Sequence, residues 1–247
     1  MKLSHLCIAL ILLFCLPACR HKPRHVVSAT AELIPIDSTL DDIQDTAWLR
    51  YLQPYKDSLD KQLGIVIGHA PSTLTVRQPE CTMLNWACDA LYDMASEETG
   101  RQVDFAVVNI GGMRSDWQAG DITIRHIYEL MPFDNRLMIL TLSGKDILDL
   151  CDAFAEQGGQ GVSRQLRMEI HGKKAGNVRL NGKKIVPEAV YHIATSNYLA
   201  SGADHFTPLT KALDTYDSGL LIRDLYMKHV IQHPQVTSSI DGRMKIK

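Results

Sequence analysis

The chain has 247 residues, with 26 Lys and Arg against 28 Asp and Glu and a net charge of −2. A near-neutral surface of mixed sign argues against nucleic acid as a partner, because that binding rests on a basic face that neutralises phosphates. The length allows one sizeable core plus a leader and a tether, and of the six cysteines Cys81, Cys88 and Cys151 show neither a disulfide framework nor zinc spacing.

Residues 1–19 read as an export signal. Lys2 precedes an apolar run from Leu6 to Leu16, too short for a spanning helix of about 20 residues. The tetrapeptide Leu16-Pro17-Ala18-Cys19 resembles a bacterial lipobox, which makes Cys19 the expected lipidation site and the mature N-terminus. Acyl chains on that cysteine would hold the protein to a membrane, each buried methylene adding about 0.8 kcal/mol. The expectation is an exported, membrane-anchored lipoprotein on the periplasmic side or in the cell envelope. Residues 20–45 read as a linker, basic from Arg20 to His25 and acidic from Asp37 to Asp45, without a sustained apolar period.

The folded region is expected over 46–247, with a helical lead-in over 46–63. Trp48, Tyr51, Leu52, Tyr55, Leu59 and Leu63 recur at three and four residues, and Pro54 is expected to kink or divide that helix. Ile65-Val66-Ile67 is a β-branched run. A second helix follows through Leu84, Ala87, Cys88, Leu91 and Met94, ending near Gly100. Cys81 and Cys88 lie about 10 Å apart along a helix axis, too far to bridge, and with Cys151 they read as small core residues.

Val103–Val108 is a short buried strand breaking at Gly111-Gly112, and Leu137–Leu142 is another, followed by a helix from Gly144. A glycine-rich loop spans Gly158–Gly161. Arg167–Ile170 and Asn177–Ile185 suggest a hairpin turning at Asn181-Gly182. Tyr191–Thr195 is a further strand, a last helix runs from about Gly219 to His233, and Arg243–Ile246 could add an edge strand. Alternation of helix and strand throughout indicates mixed α/β architecture.

Five segments carry more specific information. They are Asn109-Ile110-Gly111-Gly112-Met113-Arg114, Gly120-Asp121-Ile122-Thr123, Pro132-Phe133-Asp134-Asn135, Leu142-Ser143-Gly144-Lys145-Asp146, and Ser196-Asn197-Tyr198 through to Gly202-Ala203-Asp204-His205-Phe206. A Gly-Gly turn after a buried strand lets backbone approach a ligand closely, and Arg114 offers a planar fork for oxygen-rich groups. Phe133 and Tyr198 could sandwich a planar base, at about 1–3 kcal/mol per stacked base. The Asp204 carboxylate could accept from ribose hydroxyls.

In this order and spacing, the segments resemble the C-terminal domain of the 5'-nucleotidase and UDP-sugar hydrolase family, over about Gly64 to Gly242. The resemblance implies an α/β (mixed α+β) single domain with layered helices and mixed sheets. It also implies that Phe133 and Tyr198 stack the base, that Arg114 and Arg77 contact the nucleotide's oxygens, that Asn109 faces base or sugar beside Gly111 and Gly112, and that Asp204 holds the ribose. One departure stands out: the family loop reads Gly-Gly-Asp-Gly where this chain has Gly202-Ala203-Asp204-His205. Strain is therefore expected at Ala203 if the second glycine needs a positive φ, and His205 brings a titratable group near the ribose.

In the family, hydrolysis belongs to an N-terminal metallophosphoesterase domain that clamps two metals with Asp, His and Asn ligands. The residues between Cys19 and Gly64 contain no Asp-x-His or Gly-Asn-His-Glu segment. No catalytic residue and no cofactor are therefore expected in this chain; divalent metals are expected only in a partner. His229 and His233 have metal-ligand spacing without a carboxylate-rich companion segment, and no metal site is expected there. The serines lack a nucleophile elbow. The sequence thus points to the nucleotide- or nucleoside-binding half of a 5'-nucleotidase, acting in extracytoplasmic nucleotide breakdown with a separate metallophosphoesterase chain. The alternatives are a non-catalytic, membrane-anchored nucleotide or nucleoside receptor and a scaffold that has lost the pocket.

Overall fold

The structure, a computed structural model, describes residues 26–40 and 45–247. The leader, Cys19 and the basic stretch 20–25 lie outside the described residues. The chain divides into two units, Met1–Leu49 and Arg50–Lys247. The described part of the first is exposed and mostly irregular, with one 3-10 turn at Ser38–Leu40 where the Asp37 carboxylate accepts from the Thr39 amide at 3.0 Å.

The first helix, α1 (Thr46–Leu63), starts where Asp45 accepts from the Ala47 and Trp48 amides. It runs through Pro54 undivided, so of the two expected outcomes division does not occur. Proline there removes one helical hydrogen bond, and because α1 buries no residue, a local bend disturbs no packing.

In the second unit, β1 (Val66–Ala70) leads to α2 (Thr82–Thr99). The Cys81 sulfur caps α2 by accepting from Leu84 N, and Gly100 closes it at φ +62, donating to Ser96 O. Next come β2 (Phe105–Val108), β3 (Gly120–Thr123), α3 (Ile124–Leu130) and β4 (Arg136–Ser143). Helix α4 (Gly144–Glu156) has Ser143 as its cap, and β5 (Gly161–Val162) follows the glycine-rich loop.

The hairpin region holds three strands, β6 (Leu166–His171), β7 (Lys174–Leu180) and β8 (Lys183–Lys184). Asn181-Gly182 turns at φ +49 and +78 as expected, but Gly172 at φ +63 makes an earlier turn. Asn177, expected to open the second strand, lies inside β7 at a register irregularity. Last come β9 (Val190–Ser196), α5 (Asn197–Ala200), β10 (Asp214–Leu221), α6 (Ile222–Gln232) and β11 (Met244–Ile246). The final helix therefore starts three residues after Gly219, which belongs to β10. A positive φ of +72 there suits the bulged end of an edge strand and not a helix. Strand β11 pairs parallel with β6, in a sheet ordered β11-β6-β7-β8.

The central sheet has the order β10-β4-β9-β2-β5. Its inner strands are apolar on both faces, which is why they read as unbroken hydrophobic runs. Ala106, Val108, Leu137, Ile139 and Ala194 face a core shared with α2 and α6. Phe105, Val107, Leu140, Leu142 and Ile193 face a second core with α4, centred on Phe154 and Phe206. Cys81, Cys88 and Cys151 are free and buried, and burial pushes the Cys151 thiol up to about 12.

Register then decides where the functional loops emerge. Strands β2 and β9 run parallel, so both end on one side of the sheet. Strand β4 is antiparallel to β9 with Leu137 opposite Ser196, so β4 starts on that side. Val108 faces Gly161, and Leu221 faces Arg136, which brings the start of β5 and the end of β10 to the same edge. Four loops distant in sequence are gathered there, at the carboxyl ends of the parallel pair.

Candidate functional site

A cavity of about 310 Å³ opens at this edge, lined by Asn109, Gly111, Gly112, Arg114, Phe133, Asn135, Tyr198 and Asp204. Seven of the eight residues expected to bind substrate are brought together here. The eighth, Arg77, is exposed on the loop before α2 and is not among the lining residues.

The glycine turn is a single 3-10 turn, Ile110–Gly112, following β2. Its glycines serve different ends. A Cβ on Gly112 would sit 2.7 Å from Asn109 Oδ1, whereas one on Gly111 would meet its nearest neighbour at 3.5 Å. Gly112 thus leaves room for the Asn109 side chain, which is buried and donates from Nδ2 to Asp204 Oδ2 at 2.5 Å. Arg114 is fixed through its backbone, donating to Leu130 O at 2.9 Å. Its guanidinium reaches only Gly111 O at 3.4 Å and stays exposed.

Phe133 and Tyr198 are 41% and 44% exposed, so their rings offer open faces where a buried core anchor would not. Tyr198 is held by its hydroxyl, which donates to Asp204 Oδ1 at 2.8 Å; that carboxylate raises the phenol's pKa. The Arg136 amide donates to Asn197 Oδ1 at 2.8 Å, tying the Phe133 loop to the helix that carries Tyr198. Arg223, at the start of α6, donates to Phe133 O at 3.3 Å and to Asp134 at 2.9 Å.

Asp204 therefore has both oxygens engaged, by Asn109 and by Tyr198. A carboxylate has about four lone-pair sites, so acceptor capacity remains for a diol. The backbone around it corrects the expected strain site. Gly202, Asp204 and His205 have φ of +83, +53 and +63, while Ala203 is not in the left-handed region. The substitution that carries strain is His205 in place of the last family glycine.

Asn135, Asn197, Arg223, Gln157 and Gln160 had no assigned role in the sequence reading. Asn135 and Asn197 stand within quoted motifs, which was their only signal. His229, four residues before His233, is only half-exposed: it packs edge-on against Trp86 with ring centroids 6.1 Å apart. Burial and the neighbouring His233 lower its pKa.

Fold and site together define an α/β domain with a loop-built pocket at the carboxyl edge of its central sheet. The chain belongs to the 5'-nucleotidase, C-terminal domain family, whose match runs over residues 66–211. A 5'-nucleotidase from Vibrio cholerae is 27% identical over 188 residues, covering 74% of this chain and 34% of that protein. The crystal structure of a 5'-nucleotidase precursor from Thermus thermophilus superimposes with a TM-score of 0.70 at 27% identity, covering 81% of this chain and 42% of that one. The NAD nucleotidase of Haemophilus influenzae shares the fold, with a TM-score of 0.63 at 21% identity and coverage of 83% and 42%. The chain spans about a third of the length of the curated relatives it matches.

The family's metals belong to the N-terminal domain, outside the part matched here. Among the described residues no group of three or more His, Cys, Asp or Glu side chains is placed to hold a metal ion. The described residues do not fit that centre.

Proposed function

We propose that this chain binds the nucleoside part of a nucleotide and presents it to a metallophosphoesterase supplied by a separate chain, in nucleotide breakdown outside the cytoplasm. Cys19 anchors it to a membrane in this reading. The observation that carries the proposal is that two half-exposed aromatics and a carboxylate line one cavity on loops from one sheet edge, with the Tyr198 hydroxyl donating to that carboxylate. Phe133 and Tyr198 take the base, Asp204 accepts from the ribose hydroxyls, and Asn109 holds that carboxylate. Arg114, with its guanidinium exposed, meets the oxygens beyond the sugar, and Arg77 joins only if the ligand reaches out to its loop.

Two measurements test the separate parts. Calorimetry with AMP and adenosine on the purified chain should show saturable binding that fails when Phe133 and Tyr198 are both replaced by Ala. Phosphate release from AMP with Mn²⁺, Zn²⁺ or Co²⁺ should be absent for this chain alone and appear with the metallophosphoesterase recovered from a pull-down of the anchored protein. Binding without any such partner would instead support a membrane-anchored receptor.

A further inference from the structure

Behind the pocket, three glutamine side chains link loops that the strands alone leave separate. Gln160 is 4% exposed and sits in the glycine-rich segment between α4 and β5. Its Oε1 accepts from the Ile110 amide at 2.8 Å, at the start of the glycine turn. Its Nε2 donates to Gln157 Oε1 at 2.9 Å, and Gln157 Nε2 donates in turn to the backbone carbonyl of Asp204 at 3.0 Å. Gln78, next to Arg77, donates to the carbonyls of Gln157 at 2.6 Å and Gly159 at 2.9 Å. Gly159 lets that loop lie close: at φ +118, a Cβ there would meet Pro79 O at 2.5 Å.

We propose that Gln157 and Gln160, with Gln78 attached, form a directional amide relay that fixes the spacing of the glycine turn, the Asp204 loop and the Arg77 loop. They are positioning residues for the ligand pocket, and this inference rests on the nucleoside-binding reading of that pocket. The chemistry requires amides. Each of Gln157 and Gln160 accepts on one side and donates on the other, which a carboxylate or an aliphatic chain of similar length cannot do. The relay also meets a structural need. Asp204 and His205 stand at positive φ, a conformation that persists only when neighbouring contacts determine it. Gln157 supplies a backbone contact at that point, independent of the side-chain bonds from Asn109 and Tyr198.

The test compares hydrogen exchange and AMP affinity in the full chain for the wild type, Gln157→Glu and Gln160→Met. Gln157→Glu still accepts from Gln160 but cannot donate to Asp204, so exchange should quicken at 203–206 and stay unchanged at 110–113. Gln160→Met removes the acceptor for Ile110 and releases Gln157, so both segments should quicken. AMP affinity should fall about tenfold in each variant, in the range of a hydrogen bond lost from an organised site. A general loss of stability would instead quicken exchange across β4 and α4 as well, and that pattern, or an unchanged 203–206 segment in Gln157→Glu, overturns the relay. If wild type binds no AMP, the pocket reading fails, while the exchange pattern still decides whether the loops are coupled.

Discussion

The turn from Asn109 to Met113 has no residue at positive φ, whereas the loop from Gly202 to His205 has three, two of them not glycine. Both meet at one hydrogen bond, Asn109 to Asp204. The first gets its shape from the end of a buried strand and needs glycine at 112 to make room for a side chain. The second holds a costly backbone shape because contacts from Asn109, Tyr198 and Gln157 converge on Asp204. Glycine can thus be needed for space or for backbone conformation, and sequence alone does not say which. The Asp204 carboxylate sits on the more strained of the two loops.

Of the backbone positions in these two loops, Gly112 should give the largest effect when replaced by Ala. The new Cβ displaces Asn109 and breaks its bond to Asp204, costing about 1–2 kcal/mol and lowering AMP affinity about tenfold. Gly111→Ala, whose Cβ would meet Asn109 Nδ2 at 3.5 Å and Asp204 Oδ2 at 3.7 Å, ordinary contact distances, should leave stability nearly unchanged. Urea melts and calorimetry on the pair check this, and equal effects would remove the distinction between the two glycines.

The Asp204 loop gives a smaller effect of opposite sign. His205→Gly relieves a left-handed conformation and should stabilise by up to about 1 kcal/mol, raising Tm by a few degrees. Ala203→Gly, at an ordinary φ, should destabilise by about 0.5–1 kcal/mol because glycine adds chain entropy to the unfolded state. If Ala203→Gly stabilises and His205→Gly does not, the strain has been assigned to the wrong residue.

The smallest effect lies away from both loops and serves as their control. His229 has a pKa lowered by burial, so as pH falls below 6.5 the unfolded chain takes up a proton before the folded one does. Stability should decline from pH 6.5 down to the folded value, and His229→Phe should flatten that slope in thermal melts at pH 5–7. AMP affinity at pH 7 should not change in that variant.

The pocket-forming loops were legible because glycine, proline and asparagine punctuate them next to strongly apolar strands. The central strands were legible for the same reason. Strand β3 and helix α3 were not, since four and seven residues are too few to show a period. Strand β10, Asp-Thr-Tyr-Asp-Ser-Gly-Leu-Leu, is an edge strand whose exposed residues give no apolar run. Arg223, Gln157 and Gln160 were invisible for another reason: the partners by which they join separate loops lie 47 to 90 residues away and come near only when the sheet register is set. The partial burial of His229 was not legible either, because Trp86, which packs against it, comes from a different helix.

In the function proposed above, Phe133, Tyr198 and Asp204 form one nucleoside pocket. Its most direct test is a calorimetric titration of AMP into the wild-type chain and into the Phe133→Ala/Tyr198→Ala double variant. Binding should be saturable in the first and at least about a hundredfold weaker in the second, two stacking contacts having been lost. Equal affinity in both, with the variant folded, would contradict it.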